Sequence, residues 1–458
     1  MALLDPTDAR PIHFVGIAGA GMSALAELFV RRGVPITGCD ANPGAAVDLR
    51  RLGVSVEPHD PLHVSGARAL VVTSAMPKDH PELARARELG IPVIRRAEAL
   101  GEVTAGRELV GIAGTHGKTT TTVMTAAALA AAGRDPTVLA GGRVSAWGGN
   151  LLGGGDELYV VEADEFDRSF LALDPTVAVV NNIEADHLDI YTDLADITRA
   201  FGQFVRGART VVLCADDVVA NSLGTPNRAE VIRFGIASPD ARVVATGLAL
   251  TPAGSSFRVV FDGQDLGSVA LRIPGRHNVL NSLAALSSGL ALGAEVSAMA
   301  TGLASYDGVE RRFQPLGEAR GVAVVDDYAH NPGKVAAAVA TARIAYPGRR
   351  LVVAFQPHLY TRTRDFAIEF GASLAGADIV LLTEIYPARE IAISGVSAQL
   401  VGDALMAAGG TLSWLGPRSG LADALATRVR AGDVVLTVGA GDITMTGPEL
   451  LERLGRNP

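Results

Sequence analysis

The segment ELVGIAGTHGKTTTTV, residues 108–123, is the part of this chain that decides its fold. An apolar run typical of a buried strand leads into a glycine turn, and Lys118 and four threonines then open an alanine-rich helix. Glycines let backbone N–H groups converge on an anion, and the helix N-terminus adds partial positive charge. A lysine and a threonine hydroxyl at these positions reach phosphate and Mg²⁺. We therefore predict a phosphate-binding loop that contacts ATP.

The loop is shorter than a standard P-loop. The standard spacing puts the first glycine at position 112, which is Ile112 in this chain. The candidate ATP contacts in the loop are Gly114, Thr115, His116, Gly117, Lys118, Thr119 and Thr120. The alternative is a glycine turn followed by a solvated lysine, but Gly-Lys-Thr-Thr after an apolar strand rarely lacks phosphate.

Length and composition restrict the class of protein. A chain of 458 residues predicts about three domains, and 48% apolar against 19% charged residues is enough for large cores. The net charge of −9 disfavours nucleic acid or an anionic membrane as the main partner. The two cysteines, Cys39 and Cys214, indicate a reducing compartment. The N-terminus does not resemble a signal peptide and no apolar run is long enough to span a bilayer, so we expect a cytoplasmic protein without membrane insertion.

The order of apolar runs predicts an α/β protein with three domains. We expect a Rossmann-like domain over 1–104 and a P-loop ATPase-like α/β domain with additional β-hairpins over 105–312. A second Rossmann-like domain is expected over 313–458. The stretch Glu102–Arg107 is a candidate linker, and Arg242–Ile273 has the alternation and turn residues of hairpins. In such sheets ligands bind at the carboxyl ends of the strands.

The first strand-to-helix turn reads GIAGAGMS over residues 16–23. Its glycines follow the order G-x-x-G-x-G, which is out of register with the dinucleotide fingerprint. Asp40 closes the second strand, where a ribose-binding acid is expected. The turn predicts a nucleoside diphosphate on the helix N-terminus, without choosing between NAD and a UDP compound. The alternative is tight strand-to-helix packing with Asp40 as a cap.

Acidic and histidine side chains follow two further strands. Glu162 ends an apolar strand and, with the hydroxyl of Thr119, offers the oxygen ligands that a hard cation between ATP phosphates requires. His187 follows another apolar strand and is a candidate metal ligand or phosphate contact, although imidazole is unusual for Mg²⁺. The alternative, a solvated acidic loop, accounts for the neighbours Asp164, Glu165 and Asp167 but poorly for Glu162.

Polar residues elsewhere also occupy helix starts and strand ends. Asn278 and Asn281 open a predicted helix and are either nucleotide contacts or capping residues. Arg362 and Arg364 are candidates to bind a carboxylate or phosphate, or else exposed loop arginines. The other candidates at these strand ends are Asp327, His330 and His358.

Taken together, these motifs resemble the Mur ligases over nearly the whole chain. The segments that match in order and spacing are Gly114–Thr120, Glu162–Glu165, Asn182–Asp189, Gly275–Asn278, Asp327–His330 and Gln356–His358. Gly19–Ser23 and Glu162–Glu165 are most similar to the member that adds L-alanine. The resemblance implies a monomeric or dimeric ligase of peptidoglycan precursor synthesis. It would use ATP and Mg²⁺ to join L-alanine to the carboxylate of UDP-N-acetylmuramate through an acyl phosphate, with the third domain closing to exclude water.

The resemblance also implies a role for individual residues. For ATP it implies the loop residues together with Asn278, Arg312 and Asp327. For magnesium it implies Thr119, Glu162 and His187. For the UDP-sugar it implies Gly19, Gly21, Met22, Ser23, Asp40 and Ser74. For the amino acid it implies His330, His358 and Arg362. The catalytic set is Lys118, Glu162, His187 and, as a candidate general base, His330.

This sequence departs from the family pattern at one position. Several Mur ligases carry a carbamoylated lysine about fifteen residues after the equivalent of His187, where this chain has Gly202. A carbamate-bridged second metal is therefore not expected.

The alternatives are a recycling ligase that adds a whole tripeptide to the same UDP-sugar, a nicotinamide oxidoreductase and a nucleotide-gated binding protein. The oxidoreductase leaves Lys118 and Glu162 unexplained.

Overall fold

We describe the fold from a computed structural model, which gives residues 3–73, 76–187, 190–388 and 390–456. Three sheets organise these residues, as the sequence predicts. Two compact units contain them. The first comprises residues 1–248, 256–271 and 278–306, and the second comprises 249–255, 272–277 and 307–458. Most of the first two predicted domains falls in the first unit, but residues 249–255, 272–277 and 307–312 of the second predicted domain fall in the second unit. The boundaries 1–104, 105–312 and 313–458 stay predictions.

The N-terminal sheet has five parallel strands in the order β3-β2-β1-β4-β5. Its elements are β1 (Ile12–Val15), α1 (Ala20–Arg31), β2 (Ile36–Cys39), α2 (Val47–Arg51), β3 (Val56–Glu57), β4 (Ala69–Val72), α3 (Pro81–Glu88), β5 (Val93–Arg95) and α4 (Arg96–Thr104). All four residues of β1 are buried, because this central strand is covered on both faces. A Cβ on Gly38 would overlap the side chain of Ile17, so glycine allows the first turn to approach β2 closely.

The second sheet has ten strands, in the order β15-β14-β13-β12-β11-β10-β6-β9-β7-β8. Its strands are β6 (Glu108–Ala113), β7 (Thr137–Val144), β8 (Gly149–Leu152), β9 (Leu158–Glu162), β10 (Val177–Val180), β11 (Thr210–Cys214), β12 (Glu230–Gly235), β13 (Val243–Thr251), β14 (Gly254–Phe261) and β15 (Gln264–Leu271). Its helices are α5 (Lys118–Ala131), α6 (Leu194–Phe204), α7 (Val218–Asn221), α8 (Arg276–Ala291) and α9 (Val296–Ala304). β6 lies between β10 and β9 and is parallel to both, so the carboxyl ends of these three strands meet at one edge.

The third sheet has six strands in the order β16-β17-β21-β18-β19-β20, all parallel except β16. Its strands are β16 (Gln314–Ala319), β17 (Val322–Asp327), β18 (Arg350–Phe355), β19 (Ile379–Thr383), β20 (Leu412–Gly416) and β21 (Asp433–Val438). Its helices are α10 (Pro332–Ala345), α11 (Tyr360–Leu374), α12 (Gln399–Ala407), α13 (Arg418–Ala426) and α14 (Thr446–Arg456). Apolar clusters cover both faces of this sheet, which explains why the central parts of its parallel strands are hydrophobic.

Two local expectations are wrong. The candidate linker Glu102–Arg107 begins inside α4, because Val103 and Thr104 are buried and continue the helix. Asn278 and Asn281 are not capping residues, since α8 begins at Arg276 and both asparagines lie inside the helix. Strands β13 to β15 confirm the hairpin region, with two residues between consecutive strands. Within the part of the chain that the structure describes, none of the helices combines the length and hydropathy that crossing a bilayer requires.

Candidate active site

The phosphate loop connects β6 to α5 with two glycines in conformations that side chains rarely adopt. Gly114 has φ +141° and Gly117, the N-cap of α5, has φ +78°. The loop is held against the segment after β10: Thr115 N–H donates to Asn182 O at 3.1 Å, and His116 N–H donates to Asn182 Oδ1 at 2.7 Å. The start of α5 therefore has a fixed position, and a helix N-terminus of this kind favours an anion.

Lys118 is held by acidic groups beside the loop. Its Nζ donates to Gly114 O at 2.8 Å and to Glu165 Oε2 at 2.6 Å, and Asp164 Oδ1 lies 3.9 Å away. Burial alone would lower the pKa of Lys118, but the carboxylates of Glu165, Asp164 and Glu162 outweigh it and raise the pKa above the ordinary value. Lys118 is thus a fixed positive charge, suited to phosphate oxygens.

Glu165 is the residue that the sequence interpretation undervalued. A solvated acidic loop was the alternative for it, but Glu165 is 2% exposed. One oxygen binds Lys118, and the other, Oε1, is buried without a hydrogen bond and lies 3.8 Å from His187 Nε2. The signal that could have identified Glu165 is its position three residues beyond Glu162, still close to the end of β9. Glu165 therefore links the predicted lysine and histidine.

Glu162 and Thr119 form the oxygen pair that the metal prediction requires. Thr119 Oγ1 donates to Glu162 Oε2 at 2.8 Å, and Gly141 N–H donates to the same oxygen at 2.7 Å. A Cβ on Gly141 would overlap the Glu162 carboxylate, so glycine makes room for this side chain. A hydroxyl beside a carboxylate at a phosphate loop fits a hard cation such as Mg²⁺.

His187 lies just after β10 in a left-handed backbone conformation, φ +53°. Its ring packs edge-on against Phe166 at 5.1 Å between centroids, and its Nδ1 is 4.0 Å from Asp186 Oδ1. A positive φ at a residue other than glycine is unusual and is concentrated at functional sites. Its Nε2 faces Glu165 Oε1 at 3.8 Å. Leu188 and Asp189, the end of the same motif, lie outside the described residues.

Helix α8 contacts the phosphate loop and the first turn of α5 through Asn281. Asn281 Oδ1 accepts from Thr121 Oγ1 at 3.2 Å, and Asn281 Nδ2 donates to Asn278 Oδ1 at 3.4 Å. Asn281 also lies so close to Gly117 that a Cβ there would overlap its Oδ1. Asn278 and Thr120, both predicted ATP contacts, are buried. Asn281 therefore positions the loop, a role that its sequence motif did not reveal.

The first turn has the predicted glycines at the start of α1. Gly19 is the N-cap of α1, and Ser23 Oγ donates to Ala20 O at 3.0 Å. Asp40 Oδ2 accepts from Ala18 N–H at 2.9 Å, one residue before the N-cap, so Asp40 holds the turn without capping α1. Met22 is buried and Gly21 lies beside Arg96. Ser74, also predicted to contact the UDP-sugar, lies outside the described residues.

A cavity of about 210 Å³ opens at this turn. Ala18, Ala20 and Ser23 line one side of it, and Arg143 and Asn150, from the segment of β7 and β8, line another. Arg143 forms an ion pair with Asp48, which also lines the cavity. Sequence reasoning missed Arg143, because it lies in a segment without a motif.

The predicted amino-acid contacts meet within the second unit. The rings of His330 and His358 have centroids 6.1 Å apart, and Arg362 Nη1 lies 3.4 Å from His358 Nδ1. The His358 ring stacks on Tyr386 at 5.7 Å, a neighbour that the sequence interpretation did not include. Arg364 instead pairs with Asp365 and its side chain is 52% exposed. Arg362 is thus the arginine that belongs to this group.

Asp327 and Arg312 also lie together in the second unit. Asp327 accepts backbone N–H groups from Phe313 and Ala329, both at 2.7 Å. Burial raises the pKa of Asp327 to about 6, against the opposing charge of Arg312. The Arg312 guanidinium stacks 5.1 Å above the Tyr328 ring. Both groups therefore have restricted positions.

A helix-opening glycine loop with its lysine beside acidic strand ends, on a three-sheet α/β fold, is typical of enzymes that use a nucleoside triphosphate. Three family models match this chain: "Mur ligase family, catalytic domain" over residues 11–108, "Mur ligase middle domain" over 112–289 and "Mur ligase, glutamate ligase domain" over 311–441. The chain belongs to the Mur ligase family.

Individual relatives agree with this assignment. The chain is 45% identical to the UDP-N-acetylmuramate–L-alanine ligase of Acidothermus cellulolyticus, over 97% of this chain and 95% of the relative. It is 44% identical to the protein of the same name from Cutibacterium acnes, over 98% and 97%. Among solved structures, the UDP-N-acetylmuramate–alanine ligase of Thermotoga maritima matches with a TM-score of 0.83 at 29% identity, over 97% and 98%. A murein peptide ligase of Psychrobacter arcticus matches with a TM-score of 0.74 at 25% identity, over 98% and 100%.

Proposed function

We propose that this chain joins L-alanine to the carboxylate of UDP-N-acetylmuramate, with conversion of ATP to ADP and phosphate, as a cytoplasmic step in peptidoglycan precursor synthesis. The observation that carries the proposal is the match to ligases of that name at 44–45% identity across almost their whole length. The family assignment leaves the nicotinamide oxidoreductase and the gated binding protein without support.

The chemistry explains why a phosphate loop is needed. A carboxylate does not accept an amine at neutral pH, because oxide is a poor leaving group. Transfer of the γ-phosphoryl group of ATP to the muramoyl carboxylate gives an acyl phosphate. The amine of L-alanine then attacks the acyl carbon and phosphate leaves. Lys118, a fixed cation at the start of α5, is suited to neutralise charge on the transferred group.

We propose Glu162 and Thr119, whose side chains are hydrogen-bonded to each other, for the magnesium site. His187 stays the third predicted ligand, and its Nε2 lies 3.8 Å from Glu165 Oε1. When bound, Mg²⁺ neutralises charge that develops on the phosphate oxygens. Lys118 Nζ donates to Glu165 and to Gly114 O, and the third of its N–H donors is left for a phosphate oxygen. Glu165 therefore orients the lysine before the nucleotide arrives.

The remaining substrates are assigned to separate groups of residues. For the UDP-sugar we propose the cavity at the first turn, where the N-terminus of α1 offers backbone N–H groups to a diphosphate. For the L-alanine carboxylate we propose Arg362, with His358 and His330 beside it. Arg312, Asp327 and Asn278 stay predicted ATP contacts, and His330 stays a candidate general base. A monomer and a homodimer are both compatible with these assignments.

A second candidate is the recycling ligase that attaches a tripeptide, favoured by the likeness to the Psychrobacter arcticus structure. Phosphate release from ATP tests the two, with UDP-N-acetylmuramate and either single amino acids or L-alanyl-γ-D-glutamyl-diaminopimelate as acceptor. Our proposal expects the highest kcat/KM with L-alanine and lower values with L-serine and glycine, because a methylene is worth only about 1–3 kcal/mol of discrimination. A higher kcat/KM with the tripeptide would move the chain to the recycling branch.

A further inference from the structure

A cluster of metal-binding side chains lies inside the first unit, among elements of the five-stranded sheet. It comprises His13 in β1, Cys39 at the end of β2, His59 after β3, His63 in the turn that follows, and Glu82 in α3. The ligand atoms of Cys39, His59 and Glu82 all lie within 4.8 Å of one another, as do those of His13, His63 and Glu82. No residue of the proposed ligase site belongs to this cluster.

The distances within the cluster match a metal shell. The Cys39 thiol donates to Glu82 Oε2 at 2.9 Å and lies 3.2 Å from His59 Nδ1, and His59 Nδ1 is 3.6 Å from Glu82 Oε1. His13 Nε2 is 3.9 Å from Glu82 Oε2. Zinc bonds of about 2.0–2.3 Å in a tetrahedron separate neighbouring ligand atoms by about 3.3–3.8 Å. The Cys39, His59 and Glu82 side chains are therefore already near the spacing of a zinc site, and His13, which groups with Glu82 and His63, must move closer to Cys39 and His59 to join them.

Burial leaves this cluster short of positive charge. Glu82 is 0% exposed and His13 is 1% exposed. Among the described residues, the only basic groups within salt-bridge distance of Glu82 are the imidazoles of His13 and His59, and neither carries a permanent charge. A buried carboxylate is costly unless a cation pairs with it. A bound metal ion would supply that charge.

His13 provides an independent indication of a missing ligand. Its Nδ1 lies 2.9 Å from Thr37 Oγ1, whereas its Nε2 is buried without any hydrogen-bond partner and faces Glu82. Histidines that bind metals commonly use one ring nitrogen for a hydrogen bond that orients the ring and the other nitrogen for the ion. Thr37 can accept from Nδ1–H, which leaves the Nε2 lone pair available.

We propose that this cluster is a zinc site with Cys39 Sγ, His59 Nδ1, one Glu82 oxygen and His13 Nε2 as ligands. Thiolate and imidazole select zinc over magnesium, so the site is chemically distinct from the oxygen pair at the phosphate loop. Binding releases the Cys39 thiol proton to solvent, and the thiolate and carboxylate together balance the charge of Zn²⁺. His59, whose side chain is 26% exposed, provides the route of entry.

Four separate elements supply these ligands, so the ion would crosslink β1, β2, the segment after β3 and α3. Such a crosslink stabilises the first domain, because the unfolded chain lacks the preformed site. This inference does not depend on the proposed function. The protein could bind zinc here whichever acceptor the ligase uses.

The proposal can be tested in the full-length chain with cobalt(II). This ion occupies zinc sites and, unlike zinc, absorbs visible and ultraviolet light when bound. The protein is treated with chelator, given excess MgATP to occupy the phosphate loop, and titrated with Co²⁺. We expect about one tightly held ion per chain and a thiolate-to-cobalt charge-transfer band that Zn²⁺ removes. Cys39→Ser should lose the band, whereas Cys214→Ser, which changes the other buried cysteine, should keep it. Absence of the band in folded wild-type protein, or its loss only in Cys214→Ser, would overturn the proposal.

Two further measurements do not depend on that band. Glu82→Gln removes a charged ligand and should weaken zinc binding at least tenfold, since even the loss of a residue that only supports a ligand costs about 10- to 100-fold. X-ray absorption on zinc-loaded wild-type protein should show one sulfur neighbour together with nitrogen and oxygen neighbours. A shell of nitrogen and oxygen alone would exclude Cys39 as a ligand and overturn the site as we describe it.

Discussion

Glu162 is the residue on which the proposed metal site depends most directly. It accepts hydrogen bonds from Thr119 Oγ1 and Gly141 N–H, so its carboxylate has a fixed position beside the phosphate loop. We expect Glu162→Gln to lower kcat by about 10²- to 10³-fold, the usual cost of one lost electrostatic stabiliser. Steady-state phosphate release over a range of Mg²⁺ concentrations measures this.

The matched control is Asp167→Asn, five residues later. Asp167 forms an ion pair with Arg95 at 3.3 Å in which both side chains are partly exposed, and such pairs contribute little. Its kcat should stay within about twofold of the wild-type value. Activity that survives in Glu162→Gln at the wild-type level would remove Glu162 from the metal site.

Arg362 is the residue that we expect to bind the amino-acid carboxylate. A charged hydrogen bond is worth about 1.5–3 kcal/mol, so Arg362→Ala should raise the KM for L-alanine by about 10- to 100-fold and leave the KM for ATP nearly unchanged. Arg364→Ala provides the control, because that side chain pairs with Asp365. Equal effects of the two substitutions on the KM for L-alanine would contradict the assignment.

Asp327 predicts a pH dependence of stability. Its pKa is about 6 in the folded chain and near the ordinary 3.8 when unfolded, so the native state binds more protons between these values. Stability from this group is therefore present at low pH and falls as the pH rises through that window. Relative to Asp327→Asn, the wild type should lose about 1 kcal/mol of unfolding free energy between pH 5 and pH 7.5. Denaturant titrations of both proteins at the two pH values check this, and a difference that does not change with pH would contradict it.

Gly117 and Gly133 lie at opposite ends of α5. Alanine substitutions at these two positions distinguish loss of helix stability from loss of the phosphate loop's shape. Both have positive φ, +78° and +77°, so alanine costs each about 1–2 kcal/mol of backbone strain. A Cβ on Gly117 would also overlap Asn281, whereas a Cβ on Gly133 would meet nothing within 4 Å. We expect Gly117→Ala to lose ATP binding in calorimetry and Gly133→Ala to retain it at slightly lower stability. Loss of binding in both variants would mean that helix stability alone explains the effect.

The elements most predictable from the sequence were the mainly apolar, fully buried strands. Strands β1, β10 and β21 could be predicted from the sequence, because most of their side chains are apolar and every residue in them is buried. Strands β7 and β8 were not predicted, since their glycine-rich stretch resembles a turn and forms strands only through pairing within the sheet. The capping interpretation of Asn278 and Asn281 placed the start of α8 too late. The helix begins at Arg276, so both asparagines lie inside it.

The same contrast applies to the site. Lys118, Thr119 and Glu162 could be named as candidates because a glycine-lysine-threonine loop and a strand end have local signatures, and the structure places Thr119 beside Glu162. Glu165 could not be separated from an ordinary acidic loop, because its burial follows from packing against residues distant in the sequence. Arg143 carries no motif, and only the folded chain shows that it lines the cavity at the first turn.

At the scale of the whole molecule, each sheet carries one proposed task. The five-stranded sheet presents the turn for the UDP-sugar, the ten-stranded sheet presents the phosphate loop, and the six-stranded sheet presents the group for the amino acid. An enzyme that activates one substrate with ATP and couples it to another needs three such sites. The arrangement therefore agrees with a ligase that passes through an acyl phosphate.

One isotope experiment tests that central claim most directly. UDP-N-acetylmuramate labelled with oxygen-18 in its muramoyl carboxylate is incubated with the protein, Mg²⁺, ATP and equal concentrations of L-alanine and L-alanyl-γ-D-glutamyl-diaminopimelate, and the products are analysed by mass spectrometry. The account predicts the L-alanine amide as the main product, together with inorganic phosphate that carries one oxygen-18 from the carboxylate. Unlabelled phosphate, or a product dominated by the tripeptide, would contradict it.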